Sequence, residues 1–366
     1  MFLKDDKYHD GQDLAGYLGM EDNKKISAPR CIQYRNKRYC LRLATHLHPI
    51  EEATYGFKDW TGTPVFAKGL NLRQRGEALR NKWESFAFPK ALLLDHSKFD
   101  AHVSDKLQDL ENWYYLKCNN DHELRQLLGM QRINKGRTKN GTRYTTYATR
   151  MSGDQNTGLG NSVINYAMLE DFLQFYGLKG SILVDGDDSV LIIEDEGKHY
   201  DLSFFKQFGM KTEGSETTDF SQVDFCQTKP VELEHGWTMV RNPYRLLLRM
   251  GWTTKVVAAR KIKPYLASIG RCELALGMGA PIGQYIGHKL SLLSDKHIDT
   301  DLEWVAKQQQ YRPRRAKLVE PTLRARSSYA EAWGISIEQQ LEIEATGISL
   351  DVDVSALNVE ERPYDQ

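Results

Sequence analysis

Between residues 181 and 193 the chain reads SILVDGDDSVLII, two mostly apolar runs separated by Asp185–Gly186–Asp187–Asp188. Short β-type runs joined by a glycine-containing turn form a hairpin, so three carboxylates collect at its tip. They repel one another unless a cation sits among them, and hard oxygen ligands on a rigid mount suit Mg²⁺ or Mn²⁺. A second acidic pair, Asp95 and Asp100, lies five residues apart in DHSKFD, directly after the apolar run Ala91–Leu94. Asp95 therefore stands where a strand leaves the core, and from there its carboxylate can meet the hairpin acids across a sheet.

The elements that must hold these residues are legible in the same stretches. Ser104 is an N-cap for a helix with Leu107, Leu110 and Tyr114 on one face. After the flexible turn Ser152–Gly153, MSGDQNTGLGNSVINYAMLEDFLQFYG predicts a helix to about Tyr176, stopped by Gly177. Thr157, Asn161 and Asn165 recur every four residues on it as a polar stripe, while Leu159, Val163, Tyr166 and Leu173 serve its buried side. Leu202–Phe208 predicts a short helix ending at Gly209, and VDFCQTKPVEL a strand, a turn and a strand. From Arg241 onward the pattern becomes more helical.

In chain order, D-x4-D, S-G-x3-T-x3-N and G-D-D resemble motifs A, B and C of viral RNA-dependent RNA polymerases. More narrowly, DHSKFDAHVS, MSGDQNTGLGN and DFCQTKPV resemble polymerases of positive-strand RNA viruses of the tombusvirus-like group, and the similarity runs from about Phe2 to about Gln340. The resemblance implies an α+β right-hand polymerase fold of fingers, palm and thumb, with an antiparallel palm sheet backed by helices. On this reading 1–90 are fingers with a partial motif F region, and 121–150 are a fingers insertion. The palm comprises 91–120 (motif A) and 151–240 (motifs B to E), the thumb 241–345, and 346–366 is a flexible acidic tail.

The resemblance also implies roles. Nucleotidyl transfer needs an activated 3′-hydroxyl, a stabilised pentavalent phosphate and a neutralised pyrophosphate, and two Mg²⁺ ions about 4 Å apart supply all three, with Mn²⁺ as a substitute. Asp95 and Asp187 are expected to bridge the two ions, with Asp188 assisting and Asp185 either facing water, the favoured reading, or tuning metal affinity. Asp100 and Asn161 resemble the pair that reads the ribose 2′-hydroxyl, a hydrogen bond that selects ribonucleotides, with Ser152 and Thr157 in support. Ser152–Gly153 is expected to let the backbone come close to the template–nascent base pair. Lys206, in FKQFGMK, matches the motif D general acid for pyrophosphate, and Lys211 competes for that role. Arg30, Arg35 and Arg38 in APRCIQYRNKRY resemble the motif F residues that hold the incoming triphosphate. Lys4 and Lys7 resemble the start of that region, and Phe225–Cys226–Gln227 resembles motif E, which supports the primer strand.

Composition narrows the partners. At 366 residues the chain can bury a large core as a multi-lobed enzyme. No apolar run approaches a bilayer span, and no signal-peptide pattern opens the chain. Five cysteines, odd in number and without zinc-type pairing, fit a reducing compartment. Net charge is zero, yet Lys24–Arg42 holds seven basic residues without an acid and Arg132–Arg150 six, the distribution a phosphate-binding channel needs. A third cluster, Arg312–Lys317, precedes the acidic tail. Expected partners are RNA template and nascent RNA, ribonucleoside triphosphates and other viral replication proteins. The expected place is the host cytoplasm, at membrane-associated replication complexes reached through a partner or a missing segment, with no membrane insertion by this chain. A reverse transcriptase shares the metal carboxylates, but Asp100 and Asn161 speak against it. A non-catalytic RNA-binding remnant has no need of three converging carboxylates. Because the motif F stretch begins within the first forty residues, the chain is expected to be the C-terminal part of a longer replicase or a fragment. Weak processive synthesis alone follows from that expectation.

Overall fold

The structure is a computed structural model and describes residues 2–3, 31–138, 140–250, 253 and 257–346. Lys4, Lys7, Lys24, Lys25, Arg30 and residues 347–366 of the predicted tail lie outside the described residues. In chain order the strands and helices begin with β1 (Phe2–Leu3), β2 (Cys31–Ile32), α1 (Lys37–Tyr55) and α2 (Leu72–Glu84). Next come β3 (Pro89–His96), the single turn α3 (Phe99–His102), α4 (Asp105–Cys118), α5 (His122–Gly129), β4 (Ile133–Arg137) and β5 (Arg143–Tyr147). The long helix α6 (Thr157–Tyr176) leads into β6 (Gly180–Asp185), β7 (Asp188–Glu194) and β8 (Thr212–Thr217). The chain continues through β9 (Thr228–Leu233), β10 (Gly236–Arg241), α7 (Pro243–Arg249), α8 (Ile262–Leu276), α9 (Gly283–Ser291), α10 (Asp301–Gln308), α11 (Leu323–Trp333) and α12 (Ile337–Ala345). These elements divide between two compact units. One is built of β1, residues 31–70 and Glu77–Cys226, the other of Asn71–Gly76 and the described residues from Gln227 onward.

The first unit is organised on a four-stranded antiparallel sheet of order β6-β7-β3-β8. Its inner strands are runs of Leu, Ile and Val, which fit a pleated surface buried on both sides. Asp185 pairs with Asp188 across a two-residue turn, where Gly186 takes φ +70°, a conformation open to residues without a Cβ. Alternation along the strands sends Leu92 and Leu94, Ile182 and Val184, and Leu191 and Ile193 to the face covered by Ile164, Met168, Leu169 and Phe172 of α6. Phe172 also stacks on Phe205 of the 3₁₀ helix Leu202–Phe208, with ring centroids 5.3 Å apart. Truncating Phe172 to alanine at the centre of this cluster would cost about 3–5 kcal/mol. The free edge of β6 is covered by residues 65–67, through Val184 N donating to Val65 O and Ala67 N to Val184 O, which removes a pairing edge.

Helix α6 is buried on its other side as well. Leu159 and Val163 join Leu43, Leu47 and Ile50 of α1, Tyr115 of α4 and Leu124, Leu127 and Leu128 of α5. A helix packed on two sides keeps little solvent face, so its polar stripe is interior: Asn161 and Asn165 are 4% and 0% exposed. Gly177 ends the helix at φ +64°, and Ser104 Oγ accepts from Leu107 N at the start of α4, both as the sequence predicts.

Residues 1–90, read as fingers, contain α1 and α2; Leu43, Leu47, Ile50 and Thr54 form the buried line of α1, which continues through Pro49. Two expectations need correction. Leu107, Leu110 and Tyr114 were read as one apolar face of α4, but Leu110 is exposed, and the buried line is Leu107, Gln108, Glu111 and Tyr115. Two polar residues in that line disguise the periodicity. The strand–turn–strand expected over 223–233 is one strand, β9, whose partner is β10 with Leu233 opposite Gly236. Residues 225–227 bend instead, with Cys226 and Gln227 both at positive φ.

The second unit pairs β9 and β10 with a helical layer. Val231 packs with Ile282, Tyr329, Ala332 and Trp333, and Arg326 makes a buried ion pair with Glu344 at 2.9 Å. Among the described residues no helix is long and apolar enough to cross a membrane.

Candidate active site

Strand parity assembles the acids. Asp95 alternates with Leu94 and His96, and Asp188 and Asp185 alternate with residues on the face against α6, so all three carboxylates leave the sheet on the side away from that helix. Leu94 pairs with Ser189; one step further along this register, Asp95 stands opposite Asp188. Asp187 occupies the turn between β6 and β7. Asp95, Asp187 and Asp188 are exposed, while Asp100 on α3 and Asp185 are half-buried.

Although Asp187 and Asp188 touch solvent, the protein around them displaces much of their water. That desolvation, ahead of repulsion from Asp187, Asp185 and Asp95, pushes Asp188 up to about 6. Asp187 is raised for the same first reason and by Asp100, Asp95 and Asp185. The charges that act on these two groups are all carboxylates. Among the described residues no lysine or arginine pairs with Asp95, Asp187 or Asp188. Hard oxygen donors at one locus form a donor set suited to Mg²⁺ or Mn²⁺. Among the described residues, the three potential ligand side chains whose atoms all lie within 4.8 Å of one another are different ones, His297, Asp299 and Glu303 in the second unit, where Glu303 also pairs with Lys307 at 3.0 Å. Asp95, Asp187 and Asp188 stand wider apart, as mutual repulsion favours.

Beside the acids lies a hydrogen-bonded network with the opposite character. Asn161 Nδ2 donates to Asp100 Oδ1 at 2.7 Å, and Arg150 Nε donates to Asn161 Oδ1 at 3.1 Å. Arg150 is itself paired with Glu111, both side chains 1% exposed. Glu111 also accepts from Tyr115 Oη at 2.7 Å and from Asn156 Nδ2 at 2.6 Å. Gly160 is part of this packing, because a Cβ there would lie 2.1 Å from Glu111 Oε1 and 2.5 Å from Arg150 Nη2. The structure therefore brings Asp100 and Asn161 into contact, as expected, and fixes which way the amide of Asn161 points.

The loop before α6 is held from the other side. Gly153 N donates to Gln33 O at 2.8 Å, and Tyr34 bridges Gly153 in parallel. A Cβ on Gly153 would come 2.6 Å from Gln33 O, so the close approach that this glycine permits is to residues 33–34. Ser152 Oγ reaches Cys31 O at 3.3 Å, and Thr157 Oγ1 donates to Met151 O and Asp154 O at 3.1 and 2.9 Å. Arg35 is engaged by the same loop: its Nε and Nη2 donate to Asp154 at 2.5 and 3.1 Å, and Nη2 also reaches Asn134 Oδ1. Arg38 is exposed on the first turn of α1.

Lys206 is exposed on the 3₁₀ helix, and Lys211 pairs with Glu213 at 3.1 Å. Cys226 Sγ lies 4.0 Å from Asp185 Oδ2, which gives Asp185 a neighbour besides water. The acid-free stretch 132–150 is not uniformly available to a polyanion. Arg150 is interior and Arg132 pairs with Asp109, whereas Lys135, Arg137 and Arg143 are exposed on the β4–β5 ribbon. Sequence reasoning missed His96, Glu111 and Ser162. Ser162 Oγ accepts from Gly186 N at 2.9 Å and so holds the acidic turn from α6. Parity with Asp95 could have placed His96 in the core. Nothing local marks Glu111 as the partner of a residue thirty-nine positions away.

An antiparallel sheet thus carries paired acids at its strand ends beside a helix-borne Asn locked on an Asp. A family profile described as viral RNA dependent RNA polymerase matches residues 21–355. The RNA-directed RNA polymerase of Melon necrotic spot virus is 35% identical over 277 residues, covering 71% of this chain and 34% of that protein. That of Tobacco necrosis virus (strain A) is 34% identical over 281 residues, 73% of this chain and 38% of its own length. That of Oat chlorotic stunt virus (isolate United Kingdom) is 30% identical over 372 residues, covering 92% and 48%. The chain belongs to the viral RNA-dependent RNA polymerase family and resembles its tombusvirus-like members. It spans about a third to a half of the length of these relatives.

Proposed function

We propose that this chain is the catalytic part of an RNA-directed RNA polymerase that copies a viral RNA genome from ribonucleoside triphosphates. The observation that carries the reading is the gathering of Asp95, Asp185 and Asp188 on one sheet face, next to Asp187 and the Asp100–Asn161 pair. In this reading residues 91–120 and 151–240 are palm, so the first unit supplies most of the fingers and the palm as far as Cys226, and the second the end of the palm and the thumb.

Asp95, Asp187 and Asp188 would hold two divalent cations, Mg²⁺ or Mn²⁺. When bound, such ions activate the attacking hydroxyl and neutralise the leaving pyrophosphate. The chain's own residues do the rest. Asp100 offers its second carboxylate oxygen to the ribose 2′-hydroxyl, because Asn161 already occupies Oδ1. A deoxynucleotide leaves that acceptor unsatisfied. Arg30 and Arg38 meet the triphosphate, Arg35 holds the Asp154 loop, and Ser152, Gly153 and Thr157 shape the loop that borders the nucleotide. Lys206 donates the proton to pyrophosphate, and the exposed Lys135, Arg137 and Arg143 contact RNA phosphates. Other viral replication proteins, at membrane-associated complexes in the host cytoplasm, would complete the machinery.

Extension of a short primer on an RNA template, run with ribonucleotides and separately with deoxynucleotides, tests the reading. Extension with ribonucleotides that needs Mg²⁺ or Mn²⁺ is the expected result. A preference for deoxynucleotides would mean a reverse transcriptase, and RNA binding without any extension a non-catalytic remnant.

A further inference from the structure

We propose that His96 and Asn165 are positioning residues: they tie the end of β3, which carries Asp95, to the turn that carries Asp187, and so set the spacing of the carboxylates. The inference rests on the reading of those carboxylates as cation ligands. Asn165 is fully buried, and its Nδ2 donates to both carbonyls of the turn, Gly186 O at 3.2 Å and Asp187 O at 3.1 Å. That orientation leaves Oδ1 facing His96 Nε2 at 3.2 Å, so the imidazole proton is at Nε2. Nδ1 then accepts, from the Thr212 hydroxyl on β8 at 2.8 Å. A single line of donors runs from β8 through β3 and α6 into the acidic turn.

The ring of His96 has little room to leave that line. Phe99 and Phe205 meet it edge-on at centroid distances of 5.6 and 5.2 Å. Strand parity puts the side chains of Asp95 and His96 on opposite faces of β3, so fixing the imidazole against α6 fixes the strand end from which Asp95 projects. Ser162 secures the amide of Gly186, but among the described residues only Asn165 reaches the turn's two carbonyls and β3 together. Without the His96 N–H, a buried amide oxygen loses its donor; without Asn165, two turn carbonyls do, in a turn whose own carboxylates repel one another.

Mn²⁺ binding to the full chain, followed by electron paramagnetic resonance, tests this apart from polymerase activity. Wild type should bind and Asp187→Asn should not. His96→Leu and Asn165→Leu should each lose about ten- to a hundredfold in affinity, the scale set by partners that orient metal ligands. His96→Gln, whose amide nitrogen donates from near the imidazole Nε2 position, should recover most of it. The double leucine variant should bind little worse than either single one, because both act in one line. Wild-type affinity in either folded leucine variant, or a His96→Gln no better than His96→Leu, overturns the proposal. If the leucine variants do not fold, Asn165→Asp decides: it has the same size but, even when burial keeps it protonated, donates to only one of the two carbonyls, and wild-type affinity there overturns it too. If wild type and Asp187→Asn bind Mn²⁺ alike, the cation reading fails and this proposal falls with it.

Discussion

Two polar constellations lie side by side in the first unit and obey opposite rules. Asp95, Asp187 and Asp188 reach solvent, and desolvation followed by repulsion from neighbouring carboxylates raises Asp187 and Asp188. Glu111, Arg150, Asn156 and Asn161 are buried, and their charges and amides are matched by hydrogen bonds. The first set is like-charged, and a cation bound as proposed would relieve its repulsion; the second is matched internally and gives Asn161 and Asp100 one orientation.

The widest separation between the two should come from single substitutions in each. Asp187→Asn should lower single-nucleotide extension by roughly a hundredfold or more, the scale on which removal of one preorganised charge-stabilising group slows a reaction, with RNA affinity nearly unchanged. Extension close to wild type would break the metal assignment. Arg150→Met should do the reverse: it strands the Glu111 carboxylate in the interior and should cost about 3–5 kcal/mol of stability, read by urea unfolding. A loss below about 1 kcal/mol would mean that the pair is not buried as described.

The boundary between the sets is sharpened by Asp100→Ala and Asn161→Ala. Each should lower the ratio of kcat/KM for ribonucleotide over deoxynucleotide by about tenfold or more, as expected when a hydrogen bond used for discrimination is lost. An unchanged ratio in both would remove Asp100 from the ribose. On the exposed ribbon, the double variant Arg137→Ala/Arg143→Ala should reduce the slope of log affinity against log salt for single-stranded RNA by roughly 1.4, about 0.7 for each charge. The same double variant in a protein whose salt slope does not move would place RNA elsewhere.

The smallest effect concerns protons. Asp188 is raised to about 6 in the folded chain, so the folded state binds its proton more tightly than the unfolded one. Its stabilisation is complete below the ordinary carboxylate range and is lost as pH rises through about 6. Without divalent cation, the melting temperature of wild type relative to Asp188→Asn should fall between pH 5 and pH 7, by no more than about a degree or two because solvent reaches the group. Mg²⁺ should reverse the fall at pH 7, since cations bind the deprotonated carboxylates. A rise with pH in the absence of cation would contradict the raised value.

Legibility in the sequence followed the range of the interactions. Asp95, Asp187 and Asp188 could be read because a two-residue turn and strand alternation are local rules, and Asn161 because four-residue spacing on a helix is local too. The caps at Ser104 and Gly177 were legible for the same reason. Arg150 read as one more base in an RNA-binding run, and only its distant partner Glu111 turns it inward. The stripe Thr157–Asn161–Asn165 has the spacing of a helix face whether that face meets water or protein. Its burial was decided by α1, α4 and α5 packing on one side of α6 and the sheet on the other. Spacing along a chain specifies which side chains share a face. What that face meets is a matter of burial and long-range pairing, and here that alone separated the exposed carboxylates of the strand ends from a buried ion pair.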